Sequence, residues 1–134
     1  MGNYKGVMIM EQLIKKYQNR TLEDWGSEMS PEAKQFAKDF KRRLNLNANK
    51  RGLTLVNWSV NHYDFSGFLK KDDKYVYFSY DIPRYETPVD LYGLSPHNAF
   101  LVRTAKHEKD YRGGYNNFCN ILQFFDMVEN LLER

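Results

Sequence analysis

Cysteine is nearly missing from this chain: Cys119 is the only one in 134 residues. A single thiol can form neither an internal disulfide nor a Cys-rich zinc site. A reducing compartment is therefore expected, and the fold must rest on core packing. Histidine is scarce too, with only His62, His97 and His107. No two stand four residues apart, and His107-Glu108 runs on into Lys109, so the HExxH zinc spacing is absent. His62 and Asp64 would share one side of a strand, but a pair without further ligands defines no metal site. The chain also lacks a P-loop and a GxSxG nucleophile elbow. No run approaches the roughly 20 apolar residues of a membrane helix. Val7–Met10 is too short for the core of a signal peptide, and Glu11 follows it. The expectation is a cytoplasmic protein with no catalytic residue, no metal and no cofactor.

What the chain has instead is aromatic rings: ten Tyr, nine Phe and two Trp, within a composition that is 42% hydrophobic and 28% charged. This composition fits a globular protein and argues against disorder. Its length suits one domain spanning 1–134, which would bury roughly two thirds of the surface exposed on unfolding. Phe and Trp can fill the core, but this many tyrosines should leave phenol edges at the surface for a partner. The net charge of +3 is uneven. Residues 1–51 carry 11 Lys/Arg against 6 Asp/Glu, whereas residues 52–134 carry 9 against 11. Such a basic excess is compatible with a nucleic-acid partner without requiring one.

Apolar spacing predicts a first helix over about 7–19, from Met8, Ile9, Leu13, Ile14 and Tyr17. Thr21 can cap a short turn over Leu22–Gly26. Ser30-Pro31-Glu32 is a helix-start signal: a good N-cap, a ring suited to the first helical position, and an acid that complements the dipole. Ala33, Phe36, Ala37, Phe40 and Leu44 form its apolar stripe, and the Asn-rich stretch Asn45–Asn49 with Gly52 is expected to end it. Strands are predicted over Leu53–Val60, His62–Leu69, Lys74–Tyr80 and Ala99–Thr104. In the first of these, Val56, Trp58 and Val60 share a face. Gly67 marks a bulge or a close backbone approach, and a hairpin should close near Asp72. Pro83, Pro88, Gly93 and Pro96 punctuate an irregular segment. Asn120 and Gln123 resemble a capping box for a C-terminal helix built on Ile121, Leu122, Phe125, Val128 and Leu132. The order predicts an α+β domain: N-terminal helices, an antiparallel sheet of three to four strands, and a C-terminal helix, with helices on one sheet face.

Three constellations could carry function. In Lys106–Asn116, entered from Arg103 and read as running into the last helix, Gly113-Gly114 would let backbone N–H groups converge on an anion. Arg103, Lys106, Lys109 and Arg112 could contact phosphates while Tyr111 and Tyr115 stack on bases. The competing reading is a solvated connection with self-neutralising charges. The second is the cation run Lys41, Arg42, Arg43, Lys50 and Arg51, uninterrupted by an acid and more than a helix dipole needs. The third is Tyr75–Tyr80. Val76, Phe78 and Tyr80 should face the core, and the Tyr75/Tyr77 face is either a recognition surface or covered. Cys119, near a helix start, would need a base such as His107 to act as a nucleophile. Flanked by Phe118 and Ile121, it reads more simply as core.

The Lys/Asn/Tyr-rich composition, the lack of an enzyme motif and the stretch Arg103–Cys119 (RTAKHEKDYRGGYNNFC) resemble small accessory proteins of Gram-positive phages and conjugative elements. Such sets include anti-CRISPR proteins that inhibit a Cas nuclease. Many of these are acidic DNA mimics, a mechanism this basic chain contradicts. The resemblance implies a non-enzymatic inhibitor from a mobile element that engages the nuclease, its guide RNA or its DNA through cations and tyrosines, and it transfers no catalytic residue. The alternatives are a sequence-tolerant nucleic-acid-binding module of phage or plasmid maintenance, and a small hydrolase or transferase using Cys119 or His107. The binding reading expects the two basic segments to meet in one exposed area flanked by tyrosine rings.

Overall fold

The computed structural model describes residues 4–18, 31–61, 64–81 and 100–133. The turn at Leu22–Gly26, the segment holding Pro83 to Pro96, and His62 and His97 lie outside them. Helix α1 covers Tyr4–Gln18. It buries Val7, Met10 and Ile14, whereas Met8 is exposed, so the apolar seam is rotated from the one expected. The side chain of Tyr17 lies outside the described residues.

Helix α2 covers Pro31–Lys50. It starts at the expected proline but continues through the Asn-rich stretch. Asparagine lowers helix propensity without forbidding helix, and here buried Leu44, Asn47 and Ala48 extend the stripe of Phe36 and Phe40. Termination falls on Gly52, whose φ of +75° suits glycine. The Gly52 N–H donates to the Asn49 carbonyl and the Leu53 N–H to that of Ala48, the paired bonds of a Schellman cap.

Five strands follow: β1 (Thr54–Val60), β2 (Asp64–Lys71), β3 (Lys74–Asp81), β4 (Phe100–Ala105) and β5 (Asn117–Cys119). They form one antiparallel sheet in the order β1-β2-β3-β4-β5. This corrects the expected three to four strands: β5 is only three residues long, too short to show alternation. The β2–β3 hairpin closes at Asp72-Asp73 as expected, with Asp72 at φ +56°. The irregularity lies in β1, not at Gly67. Val56 pairs with Phe68 and Ser59 with Ser66, so β1 carries one extra residue at Asn57, whose φ is +53°. The bulge flips the alternation: Leu55, not Val56, joins Trp58 and Val60 against the core. Gly67 is the close approach, since a Cβ there would lie 3.3 Å from both Leu55 and Phe78.

Helix α3 (Ile121–Leu132) starts in the expected capping box, with Asn120 and Gln123 satisfying each other's backbone N–H. Helices α2 and α3 cover one sheet face, and α1 packs against both of them. Phe40 is central in this core, stacked on Tyr80 at 4.8 Å and on Phe100 at 6.1 Å, with Phe65 edge-on at 5.0 Å. Phe124 of α3 closes on Phe100 at 4.6 Å. The fold is thus a single α+β domain with the helical layer on one side of the sheet. Among the described residues no helix is long and apolar enough to cross a membrane.

Candidate partner-binding surface

The face of the sheet away from the helices carries Phe68, Tyr77 and Arg103 side by side on neighbouring strands. The segment after β4 folds onto this row. Tyr111 sets its ring against Phe68 at 5.4 Å and Tyr77 at 5.8 Å, both edge-on. Phe68 is thereby fully buried although it points away from the main core. The Arg103 guanidinium lies 4.5 Å over the Tyr77 ring and donates to the Tyr111 carbonyl and to Asn116 Oδ1. From the bulge in β1, the Asn57 amide donates to the Tyr111 hydroxyl at 2.9 Å and to the Glu108 carbonyl at 2.7 Å. Burial raises the pKa of Tyr77, partly countered by its hydrogen bond with Ser66.

The loop also has an internal organiser. The Asp110 carboxylate accepts from the N–H of Lys106 at 2.9 Å and of Arg112 at 3.2 Å, and from that of Gly113. These bonds, that of Lys106 foremost, lower its pKa below the usual carboxylate value. The glycines do let backbone N–H groups converge, but on the protein's own carboxylate and not on an external anion. A Cβ on Gly113 would come 2.4 Å from Asp110 Oδ2. Gly114, at φ +72°, lies so close to Thr104 that a Cβ would come 2.5 Å from its hydroxyl. The loop leads into β5, not directly into a helix as expected.

The loop exposes Lys106, Lys109, Arg112 and Tyr115 together with His107, Asn116 and one acid, Glu108, and none of the three Lys/Arg cations makes an ion pair among the described residues. Tyr115 is 91% exposed, and Phe118, on the edge strand beside it, 59%. A hollow of about 560 Å³ next to the loop has Leu131, Leu132 and Tyr75 among its walls, with Lys74, Lys106 and Tyr115.

The second predicted group divides. Arg51 bonds Asp126 at 3.2 Å and Glu129 at 2.5 Å, and lies 5.1 Å over the Phe125 ring. It ties α2 to α3. Lys41 and Arg42 project from the solvent side of α2 together with Lys34 and Lys38. Arg43 and Lys50 flank the groove between α2 and α1, joined there by Lys5. The expected single area does not form. The helical cations sit on the helix-covered side of the sheet, and the Tyr111 anchor lies on the other. Of the eleven predicted residues, Arg51 and Arg103 are held in intramolecular contacts, and Tyr111 is the half-exposed anchor of its loop.

Cys119 is a core residue, its thiol pushed up to about 12 by burial. Among the described residues no group of three His, Cys, Asp or Glu is placed to hold a metal. Sequence reasoning missed Asn57, Phe68 and Asp110 as the frame of the loop. An Asp two residues before an Arg-Gly-Gly turn was the available signal for Asp110, because Asp bonds backbone N–H groups two residues on. The chain matches no protein-family model, and no curated protein or solved structure is similar to it.

Proposed function

We propose that this protein is a non-enzymatic binding protein of a mobile genetic element that inhibits a bacterial CRISPR–Cas nuclease by docking on an acidic surface of it. The observation that carries the reading is the Lys106–Asn116 loop, anchored from below by Tyr111, Arg103 and Asp110 and offering Lys106, Lys109, Arg112 and Tyr115 outward. Binding costs less when the contacting backbone is already ordered. Exposed Tyr and Arg are the residue types that most often dominate interface energies. The neighbouring hollow has Leu131 and Leu132 in its walls with Lys74 and Lys106 against a single acid, Asp73, and suits an apolar side chain with an acid beside it. The choice of a Cas nuclease over other acidic proteins rests on the resemblance of Arg103–Cys119 to accessory proteins of phages and conjugative elements.

The test is affinity capture of a Cas nuclease co-expressed with its guide RNA, using tagged protein with and without nuclease digestion. A one-to-one complex that survives digestion is expected. Arg112→Ala and Tyr115→Ala should each weaken it about tenfold or more without lowering thermal stability. Capture of nucleic acid alone, or full affinity in both variants, would remove the basis of the proposal.

A further inference from the structure

An open sheet ends in two edge strands, whose outward N–H and C=O groups invite pairing with another chain. Here the edges are β1 and β5. β1 carries the bulge at Asn57, one of the devices that spoil an edge for pairing. β5 (Asn117-Phe118-Cys119) has no bulge, proline or lysine. Among the described residues its outer edge has no backbone partner. At its centre stands Phe118, a large apolar side chain that is 59% exposed. The strand is held from within. The Asn117 amide donates to the carbonyls of Val102 at 3.2 Å and Tyr115 at 2.9 Å, and Cys119 is fixed in the core. An edge ordered in advance costs little to order on pairing.

The hollow of about 560 Å³ adjoins the start of this strand. β5 pairs with β4 over Phe100–Val102 only, and the hollow opens further along β4, at Thr104 and Ala105. Tyr115 and Asn117 form one wall, and Leu131 and Leu132 of α3 the wall on the helix side. Side chains alternate along an added strand, so every second one would face that side. The charged residues of the hollow are Lys74, Lys106 and Asp73, and neither lysine forms an ion pair among the described residues. Lys109 and Arg112, with Glu108 between Lys106 and Lys109, continue the cationic border along the loop. The leucines call for an apolar side chain and the cations for acids. Pairing β5 with β5 of a second copy would bring two such borders together, and their repulsion disfavours it.

We propose that β5 takes an extended acidic segment of a partner protein as a sixth strand of the sheet, with an apolar side chain of that segment seated in the hollow against Leu131 and Leu132. Main-chain bonds to Asn117–Cys119 fix the direction and register of the segment, and the hollow and its lysines select the sequence. Phe118 gains a cross-strand neighbour and loses its exposure to water. A strand of three residues offers few main-chain bonds, so most of the selectivity lies in the hollow and the cations. The inference deepens the function proposed above and rests on it for the acidic protein partner. It adds the form in which that partner is recognised, an extended chain and not a helix.

The experiment is an amide NMR titration of the intact chain with a capped heptapeptide in which Glu alternates with Val and the central residue is Leu. Saturable shifts are expected at Lys106, Asn117, Phe118 and Cys119. The same peptide with Lys for every Glu should bind at least about tenfold more weakly. Two further versions carry N-methyl groups on alternate residues, in the two possible phases. One phase blocks the N–H groups that face β5 and should weaken binding by a similar factor. The Lys74→Glu/Lys106→Glu variant, altered at exposed positions, should keep its fold by circular dichroism and prefer the Lys peptide. The proposal is overturned by the absence of saturation below about 1 mM, by undiminished binding of both N-methylated versions, or by equal binding of the Glu and Lys peptides. It is overturned too if sedimentation shows a dimer that Phe118→Asp dissolves, which would give the edge to a second copy. No nuclease is present in this assay. Peptide binding without nuclease capture therefore removes only the nuclease, and a nuclease complex without peptide binding removes only the sixth strand.

Discussion

Arg51 and Arg112 show how little a charge in a sequence says about its task. Both belong to basic segments, and both look available in the one-dimensional chain. In the fold, the Arg51 side chain is only 14% exposed, bonded to Asp126 and Glu129 and stacked over Phe125. Arg112 is exposed and unpaired among the described residues. The two should therefore respond differently to the same truncation. Arg51→Ala removes a two-carboxylate bridge, a cation–π contact and the packing of the aliphatic stem. Half-exposed ion pairs contribute at most about 1 kcal/mol, so the total loss should be about 2 kcal/mol. Arg112→Ala should change stability by no more than about 0.5 kcal/mol. Urea denaturation of both variants measures this. Equal stabilities would mean that the Arg51 bridge contributes nothing and that Arg51 could serve a partner after all. The three acid-free cations Lys41, Arg42 and Arg43 were legible as a cluster, but not their division: helical geometry places Arg43 about 100° further round the axis than Arg42, on the α1 side.

At the scale of elements, the loop after β4 behaves as a part of the sheet's outer layer. Its attachment is concentrated at one ring. Tyr111→Ala would empty the space over Phe68 and Tyr77 and leave the Asn57 amide with only the Glu108 carbonyl. Because the ring is half exposed, the cost should be about 1–2 kcal/mol, less than for a fully buried aromatic. Tyr111→Phe removes only the hydrogen bond and should cost about 1 kcal/mol. Hydrogen exchange of the loop amides provides the specific readout: it should accelerate in Tyr111→Ala while amides in β2 and β3 keep their protection. Unchanged exchange would show that Asp110, Arg103 and the Asn57–Glu108 bond order the loop without the ring. Much of the element plan was legible from local signals, including the Pro31 start (its Ser30 cap lies outside the described residues), the Asp72 hairpin and the Asn120–Gln123 box. What failed was set by tertiary context. Burial of Leu44 and Ala48 against the core carried α2 through asparagines that read as a stop. The β1 bulge exchanged Leu55 for Val56, and no one-strand pattern reveals which residue a partner strand skips. The Tyr77 face, left open between recognition and coverage, is covered by Tyr111, and a contact over 34 positions leaves no periodic trace in the sequence.

For the molecule as a whole, the sheet divides two chemistries. Its inner face is aromatic and aliphatic, closed by α2 and α3 with α1 packed on them, and Cys119 belongs to that side. Burial holds the thiol neutral up to about 12, well above its usual 9. The sign of the linkage follows. The unfolded chain ionises its thiol from about pH 9 while the folded chain does not. The contribution of Cys119 to stability is thus full below pH 9 and declines as pH rises towards the folded value. At pH 8 the native thiol should then be inert both chemically and sterically, and a water-soluble disulfide reagent should react only through opening of the core. Its rate should rise with urea in parallel with global unfolding, because β5 and α3 hold Cys119 between them and neither can detach without exposing Phe100 and Phe124. Fast labelling in native buffer, with the fold intact by circular dichroism, would show that β5 opens on its own. That outcome would return Cys119 to contention as a reactive group and detach the edge strand, with Phe118, from the rigid frame that the loop depends on.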